Sequence, residues 1–168
     1  KQDEPIDLMM ASGLARLGSG SASRSVYGGW TIWGKHAPVK ESSDMYAIPV
    51  GVEQVHPTFS DLGNAILLID PGKKGVSSSL GHQLMENHPY REGRLQQARQ
   101  NTARLLETLK TGNWDDFTEI AENEALSLHG LMMSSTPSYT LLHPNSIAAI
   151  TEIRNMRKSS ELQVCFSM

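Results

Sequence analysis

The sequence has little cysteine, no long apolar run and no excess of basic residues, and each shortage excludes a class of protein. Its one cysteine, Cys165, cannot form an internal disulfide bond, which indicates a reducing compartment such as the cytoplasm. No apolar run approaches the roughly 20 residues that cross a bilayer, so we predict no membrane span. Lys and Arg number 15 against 18 Asp and Glu, a net charge of −3, which argues against a nucleic-acid binder.

The chain nevertheless has the material for a folded core. Of its 168 residues, 39% are hydrophobic and 20% are charged, a composition that argues against disorder. It starts at Lys1 without a methionine and stops in an apolar stretch, residues 162–168, that is typical of a strand. We therefore expect a fragment, incomplete at both ends.

Apolar spacing and turn residues predict helices alternating with a few strands. The predicted helices begin near Asp3, Ser77, Tyr90, Asn113 and Pro144, and Gly112 is predicted to end the helix that begins near Tyr90. The predicted strands are Thr31–Trp33, Tyr46–Val50, Ala65–Ile69 and 162–168. The continuous apolar run Ala65–Ile69 is typical of a strand that is buried on both faces. This order of elements predicts an α+β fold with helices packed on one side of the strands.

A glycine- and serine-rich segment, residues 18–25, is the first candidate site. It lies between a predicted helix and a strand that contains tryptophan. Glycines let a backbone approach a ligand closely, serine hydroxyls donate to phosphate oxygens, and the guanidinium of Arg24 offers paired donors to a carboxylate or phosphate. These features favour an anion site over a flexible linker, although the segment matches neither the P-loop nor the dinucleotide-binding fingerprint.

A second candidate site follows the two lysines Lys73 and Lys74. Serines at a predicted helix start, Ser77–Ser79, could receive an anion, and His82 comes four residues after Ser78. Taken alone, ordinary helix capping beside solvated lysines is the favoured interpretation. Two hydroxyl-rich sites together indicate a small substrate with several negative charges. The six histidines are scattered without ligand spacing, so no metal site built from side chains is predicted.

Residues Arg16–Trp30 closely resemble the signature segment of the diphosphomevalonate decarboxylases, which runs Arg-x-Gly-Ser-Gly-Ser-Ala-x-Arg-Ser-x-x-Gly-Gly. Weaker likeness continues through Lys73–Gly81, 113–133 and Val164–Ser167, and so covers nearly the whole chain. The resemblance implies the GHMP kinase superfamily and its two-layer α/β sandwich. Residues 1–62 would be the remainder of its N-terminal domain, and residues 63–168 an incomplete C-terminal domain.

The activity that the resemblance implies is ATP- and Mg²⁺-dependent decarboxylation of mevalonate 5-diphosphate to isopentenyl diphosphate, in the mevalonate pathway of isoprenoid biosynthesis. By motif, Ser19, Gly20 and Ser21 would bind the substrate diphosphate, and Arg24 would be the catalytic residue that holds the departing carboxylate. The second site would add contacts to substrate; its implied residues are Ser78, Ser79 and His82.

The resemblance also implies what residues 1–168 lack. The family's nucleotide phosphate loop would lie upstream of Lys1, and its catalytic aspartate would follow Met168, so we expect residues 1–168 alone to be inactive. The implied partners are mevalonate 5-diphosphate and ATP, with neither nucleic acid nor membrane, and a homodimer is the assembly common in the family. Two alternatives stay open: a related small-molecule kinase that does not decarboxylate, and a catalytically dead anion-binding paralogue.

Overall fold

The computed structural model describes residues 6–70, 72 and 78–168, without the side chains of residues 78–80 and 82. The chain divides into two compact units, Lys1–Asp61 (unit 1) and Leu62–Met168 (unit 2). The assignment of these two units to the two domains of the superfamily stays a prediction.

Unit 1 combines one helix with a small antiparallel sheet, and unit 2 is helical in its described part. The elements are α1 (Leu8–Gly18), β1 (Thr31–Trp33), β2 (Ala47–Pro49), α2 (Ser78–Glu86), α3 (Arg91–Thr111), α4 (Trp114–Ser134) and α5 (Pro144–Ser159). In the sheet, Thr31 lies opposite Pro49 and Trp33 opposite Ala47. The two strands predicted for unit 1 are therefore confirmed.

The helix ends follow local capping chemistry. The Asp7 carboxylate caps α1 by accepting from the amides of Met9 and Met10. The helix begins later than the predicted start near Asp3, because Asp7 is the extended capping residue and Ile6 and Asp7 both precede the first helical turn. Asp3 itself lies outside the described residues. Asn113 caps α4, and Gly112 ends α3 with a positive φ of 74°, both as the sequence predicts.

The predicted strand Ala65–Ile69 is wrong. The segment is irregular, and Ile66 and Leu68 are 81% and 83% exposed. Residues 162–168 also form no strand, although Phe166 is buried. A strand needs a neighbour that satisfies its backbone N–H and C=O groups, and the described part of unit 2 contains helices but no strand to pair with.

The core of unit 1 forms around its sheet rather than around the apolar residues of α1. Ile32, Ala47 and Phe59 are buried, and the Trp30 indole donates to the carbonyl of Phe59 over 3.1 Å. The apolar residues at helical spacing are exposed: Met9, Met10, Leu14 and Leu17 lie in α1, and Ile6 precedes it. The buried residue of α1 is instead a serine, Ser12.

A small apolar cluster joins three segments of unit 2. Ala125 of α4, Ile150 of α5 and Phe166 of the C-terminal segment pack together, with Leu126 and Ile153 against them.

Among the described residues, no helix combines the length and the apolar character that crossing a bilayer requires.

A buried carboxylate connects α4 to α5 beside this cluster. Glu122 accepts from Nε of Arg154 at 3.1 Å and from a guanidinium nitrogen of Arg157 at 2.6 Å. Arg157 also donates to the carbonyl of Val164, which fixes the C-terminal segment to the same pair of helices.

We expect Glu122→Ala to destabilise the fold by about 2–3 kcal/mol. Two charge-assisted hydrogen bonds of roughly 1.5–3 kcal/mol each are lost, but water offsets part of this loss because the side chains of Arg154 and Arg157 are partly exposed. Glu119→Ala on the same helix is the control, because Glu119 makes an exposed ion pair with Arg104 that is worth at most about 1 kcal/mol. Urea denaturation measures both variants. An equal loss in the two variants would contradict this role of Glu122.

Candidate anion-binding site

The segment that resembles the family signature forms a tight turn directly after α1. The helix ends at Gly18, Ser19 is extended, and Gly20–Ser23 form one turn of 3-10 helix. The backbone amide of Arg24 donates to the carbonyl of Ser21 over 3.2 Å and closes the turn. The chain therefore reverses within a few residues and presents short side chains in close succession.

Two buried serines hold this turn from the inside. The Ser23 hydroxyl donates to the carbonyl of Gly20 over 2.8 Å. The Ser12 hydroxyl donates to the carbonyl of Ser23, also over 2.8 Å, and accepts from the backbone amide of Ala47 over 2.9 Å. Ser12 and Ser23 are fully buried, so these hydroxyls serve the fold.

The predicted ligand-binding side chains lie on the outside of the same turn. Ser19, Ser21 and Arg24 are exposed, and the hydroxyl oxygens of Ser19 and Ser21 lie 3.2 Å apart. Within the described residues, the guanidinium of Arg24 has no ion-pair partner. Two adjacent hydroxyls and an unpaired guanidinium are donors suited to phosphate and carboxylate oxygens.

Gly20 is required at its position by its contact with Trp33. A Cβ placed on Gly20 would come within 2.7 Å of the Cη2 atom of the Trp33 indole. The indole is itself held in place, because its Nε1 donates to the carbonyl of Asp44 over 3.1 Å. The backbone of the turn thus lies directly on an aromatic ring of β1, an approach that only glycine allows.

The second predicted site lies in unit 2. Ser78, Ser79 and His82 lie in α2, whose formation confirms the predicted helix. The side chains of these three residues are not described, and Lys73 and Lys74 lie outside the described residues. Their part in a substrate site stays a prediction.

Among the described residues, hydrogen bonds to carboxylates raise the pKa values of Arg104 and Arg157, and three further titratable groups have shifted pKa values. Burial raises the pKa of the Cys165 thiol, the Glu122 carboxylate raises it further, and Arg157 opposes both, so the thiol stays protonated near neutral pH. Burial lowers the pKa of His129. Burial, then the Asp7 and Tyr46 charges, raise the pKa of Tyr27, which lies three residues after Arg24. None of these residues belongs to the predicted site.

Sequence reasoning missed Ser12. A serine inside a helix can face water, bond to its own helix or bond elsewhere, and its spacing does not say which. The one available signal is local: Ser12 stands between Ala11 and Gly13, where small side chains allow another segment to approach the helix.

Comparison with known proteins finds matches that include the residues of the turn. The family profile described as the diphosphomevalonate decarboxylase-like N-terminal domain matches residues 4–47, which include the whole turn. Diphosphomevalonate decarboxylase ERG19 of Gibberella zeae is 31% identical over 153 residues, which cover 90% of this chain and 38% of that protein. The enzyme of Ganoderma lucidum is 28% identical over 144 residues, 84% of this chain and 35% of the relative.

This chain is similar in sequence to the diphosphomevalonate decarboxylases. The mevalonate diphosphate decarboxylase of Staphylococcus aureus has a similar structure, with a TM-score of 0.77 and 26% identity over 97% of this chain and 47% of that one. A complex described as "MDDEF in complex with MVAPP, AMPPCP and Magnesium" is similar too, with a TM-score of 0.77, 27% identity, and coverage of 97% of this chain and 48% of that one. These similarities confirm the predicted fold class. The chain spans less than half the length of these decarboxylases.

We expect Gly20→Ala to destabilise the protein by about 1–3 kcal/mol, because the added methyl group must displace the turn or the indole of Trp33. Gly18→Ala is the matched control, since a Cβ on Gly18 meets nothing within 4 Å. Chemical denaturation of both variants measures the difference. A Gly20→Ala variant as stable as the Gly18→Ala variant would refute the contact.

Proposed function

We propose that this protein catalyses the ATP-dependent decarboxylation of mevalonate 5-diphosphate to isopentenyl diphosphate, as part of isoprenoid biosynthesis. One observation carries the proposal: the signature segment folds into a turn that exposes Ser19, Ser21 and Arg24 together while it buries Ser23. The relatedness to diphosphomevalonate decarboxylases supports the choice of substrate.

In the proposed reaction, the tertiary 3-hydroxyl of the substrate loses its proton and receives the γ-phosphoryl group of ATP, and ADP is the leaving group. The resulting 3-phosphate then leaves with the electron pair of its bond to carbon. The electrons of the bond to the carboxylate carbon form the new double bond, and that carbon departs as carbon dioxide. The substrate must therefore be held at both of its charged ends while positive charge develops between them.

The described residues supply donors for these two ends. Ser19 and Ser21 donate to the diphosphate, and the guanidinium of Arg24 binds the carboxylate through charge-assisted hydrogen bonds. Each such bond contributes roughly 1.5–3 kcal/mol. Because the turn is rigidly anchored, the carboxylate is kept in one orientation, and such orientation is itself a large part of catalysis.

The proposal includes ATP and Mg²⁺ because one similar structure is described as a complex with AMPPCP and magnesium. Among the described residues, no three His, Cys, Asp or Glu side chains lie close enough to hold a metal ion. We therefore assign no magnesium ligand within these ranges and derive no step through the ion. Magnesium, when bound, neutralises nucleotide phosphates during phosphoryl transfer.

Three further parts of the proposal concern the cellular location, the second candidate site and the assembly. The single free thiol, Cys165, supports a cytoplasmic location, where thiols stay reduced. The residues Ser78, Ser79 and His82 are proposed as secondary substrate contacts, and a homodimer as the assembly.

We expect Arg24→Leu to lower turnover at least 10–100-fold, with little change in nucleotide affinity, since a loss of 1.5–3 kcal/mol corresponds to about that factor. Arg99→Leu is the control, an exposed arginine on α3 outside the proposed site. The assay follows isopentenyl diphosphate and carbon dioxide in the complete protein. Unchanged turnover in Arg24→Leu would remove Arg24 from the mechanism, and a stable 3-phosphate product from the wild type would favour the kinase alternative.

A further inference from the structure

Ser12 connects three segments of unit 1 through one buried hydroxyl group. It lies in the middle of α1, donates to the carbonyl of Ser23, and accepts from the amide of Ala47 in β2. Ser12 and Ala47 are both fully buried. This single atom therefore links the helix, the turn and the sheet.

Ser12 differs from an ordinary helical serine because its hydroxyl bonds to residues outside its own helix. A serine inside a helix usually bonds to the carbonyl one turn earlier in the same helix. The Ser12 hydroxyl instead reaches a carbonyl 11 residues later and an amide 35 residues later in the sequence. Without the hydroxyl, the buried amide of Ala47 would lose its partner there, which is costly in an interior that excludes water.

A second hydrogen bond, made by Ser23, extends the anchoring to the part of the turn that holds Ser19 and Ser21. Ser23, whose carbonyl Ser12 holds, fixes the carbonyl of Gly20 with its own hydroxyl over 2.8 Å. Gly20 stands between Ser19 and Ser21 in the chain, and Trp33 supports it from β1. The backbone that presents the two exposed hydroxyls is therefore held at both ends of the 3-10 turn.

We propose that Ser12 is a positioning residue for the anion site: its hydroxyl anchors the Gly20–Ser23 turn to β2 so that Ser19, Ser21 and Arg24 bind the substrate as one group. Ser12 is buried and does not touch the substrate itself. The inference rests on the proposed function for the identity of the ligand, whereas the anchoring of the turn is a property of the free protein.

The test compares Ser12→Ala and Ser12→Cys with a matched control in the other unit. Cysteine nearly preserves the volume of serine but is a weak hydrogen-bonding group, so it separates packing from hydrogen bonding. Ser135→Ala is the control, because Ser135 is also buried and its hydroxyl also bonds to two backbone groups, the carbonyls of Met132 and Pro137. Hydrogen–deuterium exchange of the free protein and calorimetric titration with mevalonate 5-diphosphate are measured for each variant.

In both Ser12 variants, we expect the amides of residues 20–25 to exchange at least tenfold faster and the affinity for mevalonate 5-diphosphate to fall about tenfold. Ser135→Ala should lower the melting temperature while it leaves exchange at 20–25 and the affinity unchanged. Unchanged exchange in Ser12→Ala, a normal Ser12→Cys variant, or an equal loss of affinity in Ser135→Ala would each overturn the inference. A wild-type protein that does not bind mevalonate 5-diphosphate would refute the proposed function, and the exchange measurement would still decide whether Ser12 anchors the turn.

Discussion

The hydrogen bonds of two buried serines are the constraint on which the candidate site depends. Ser12 fixes the carbonyl of Ser23 to α1 and β2, and Ser23 fixes the carbonyl of Gly20. A glycine- and serine-rich segment would otherwise behave as a flexible linker, and ordering it around a ligand would cost conformational entropy at each binding event. Because the fold has already ordered the turn, its exposed donors can bind an anion without this cost in conformational entropy.

The serines of this segment differ in their surroundings: one is buried in the fold, and two are exposed as candidate binding residues. Ser23 turns inward to complete the turn, whereas Ser19 and Ser21 remain exposed with their hydroxyl oxygens 3.2 Å apart. Gly20, between them, carries no side chain because the indole of Trp33 occupies that space. The glycine of the signature at position 20 thus follows from the geometry of a 3-10 turn that lies on an aromatic ring.

Local chemistry could be predicted from the sequence, whereas contacts between distant segments could not. The caps Asn113 and Gly112 depend on neighbouring residues, and the sequence alone identifies them. The site around Arg24 also comes from local residues, and its binding role stays a prediction. The apolar run Ala65–Ile69 looks like a buried strand, but the described part of unit 2 contains no strand to pair with it. Ser12 was missed for a related reason, since its two partners lie 11 and 35 residues away and leave no periodic pattern.

We propose that one anchored turn binds both charged ends of mevalonate 5-diphosphate, and a crystal structure of the complete protein with this ligand tests this most directly. We expect diphosphate oxygens within hydrogen-bond distance of the Ser19 and Ser21 hydroxyls and the carboxylate on the Arg24 guanidinium, with the Gly20–Ser23 turn unmoved. A ligand bound elsewhere, with these three side chains still in solvent, would contradict it.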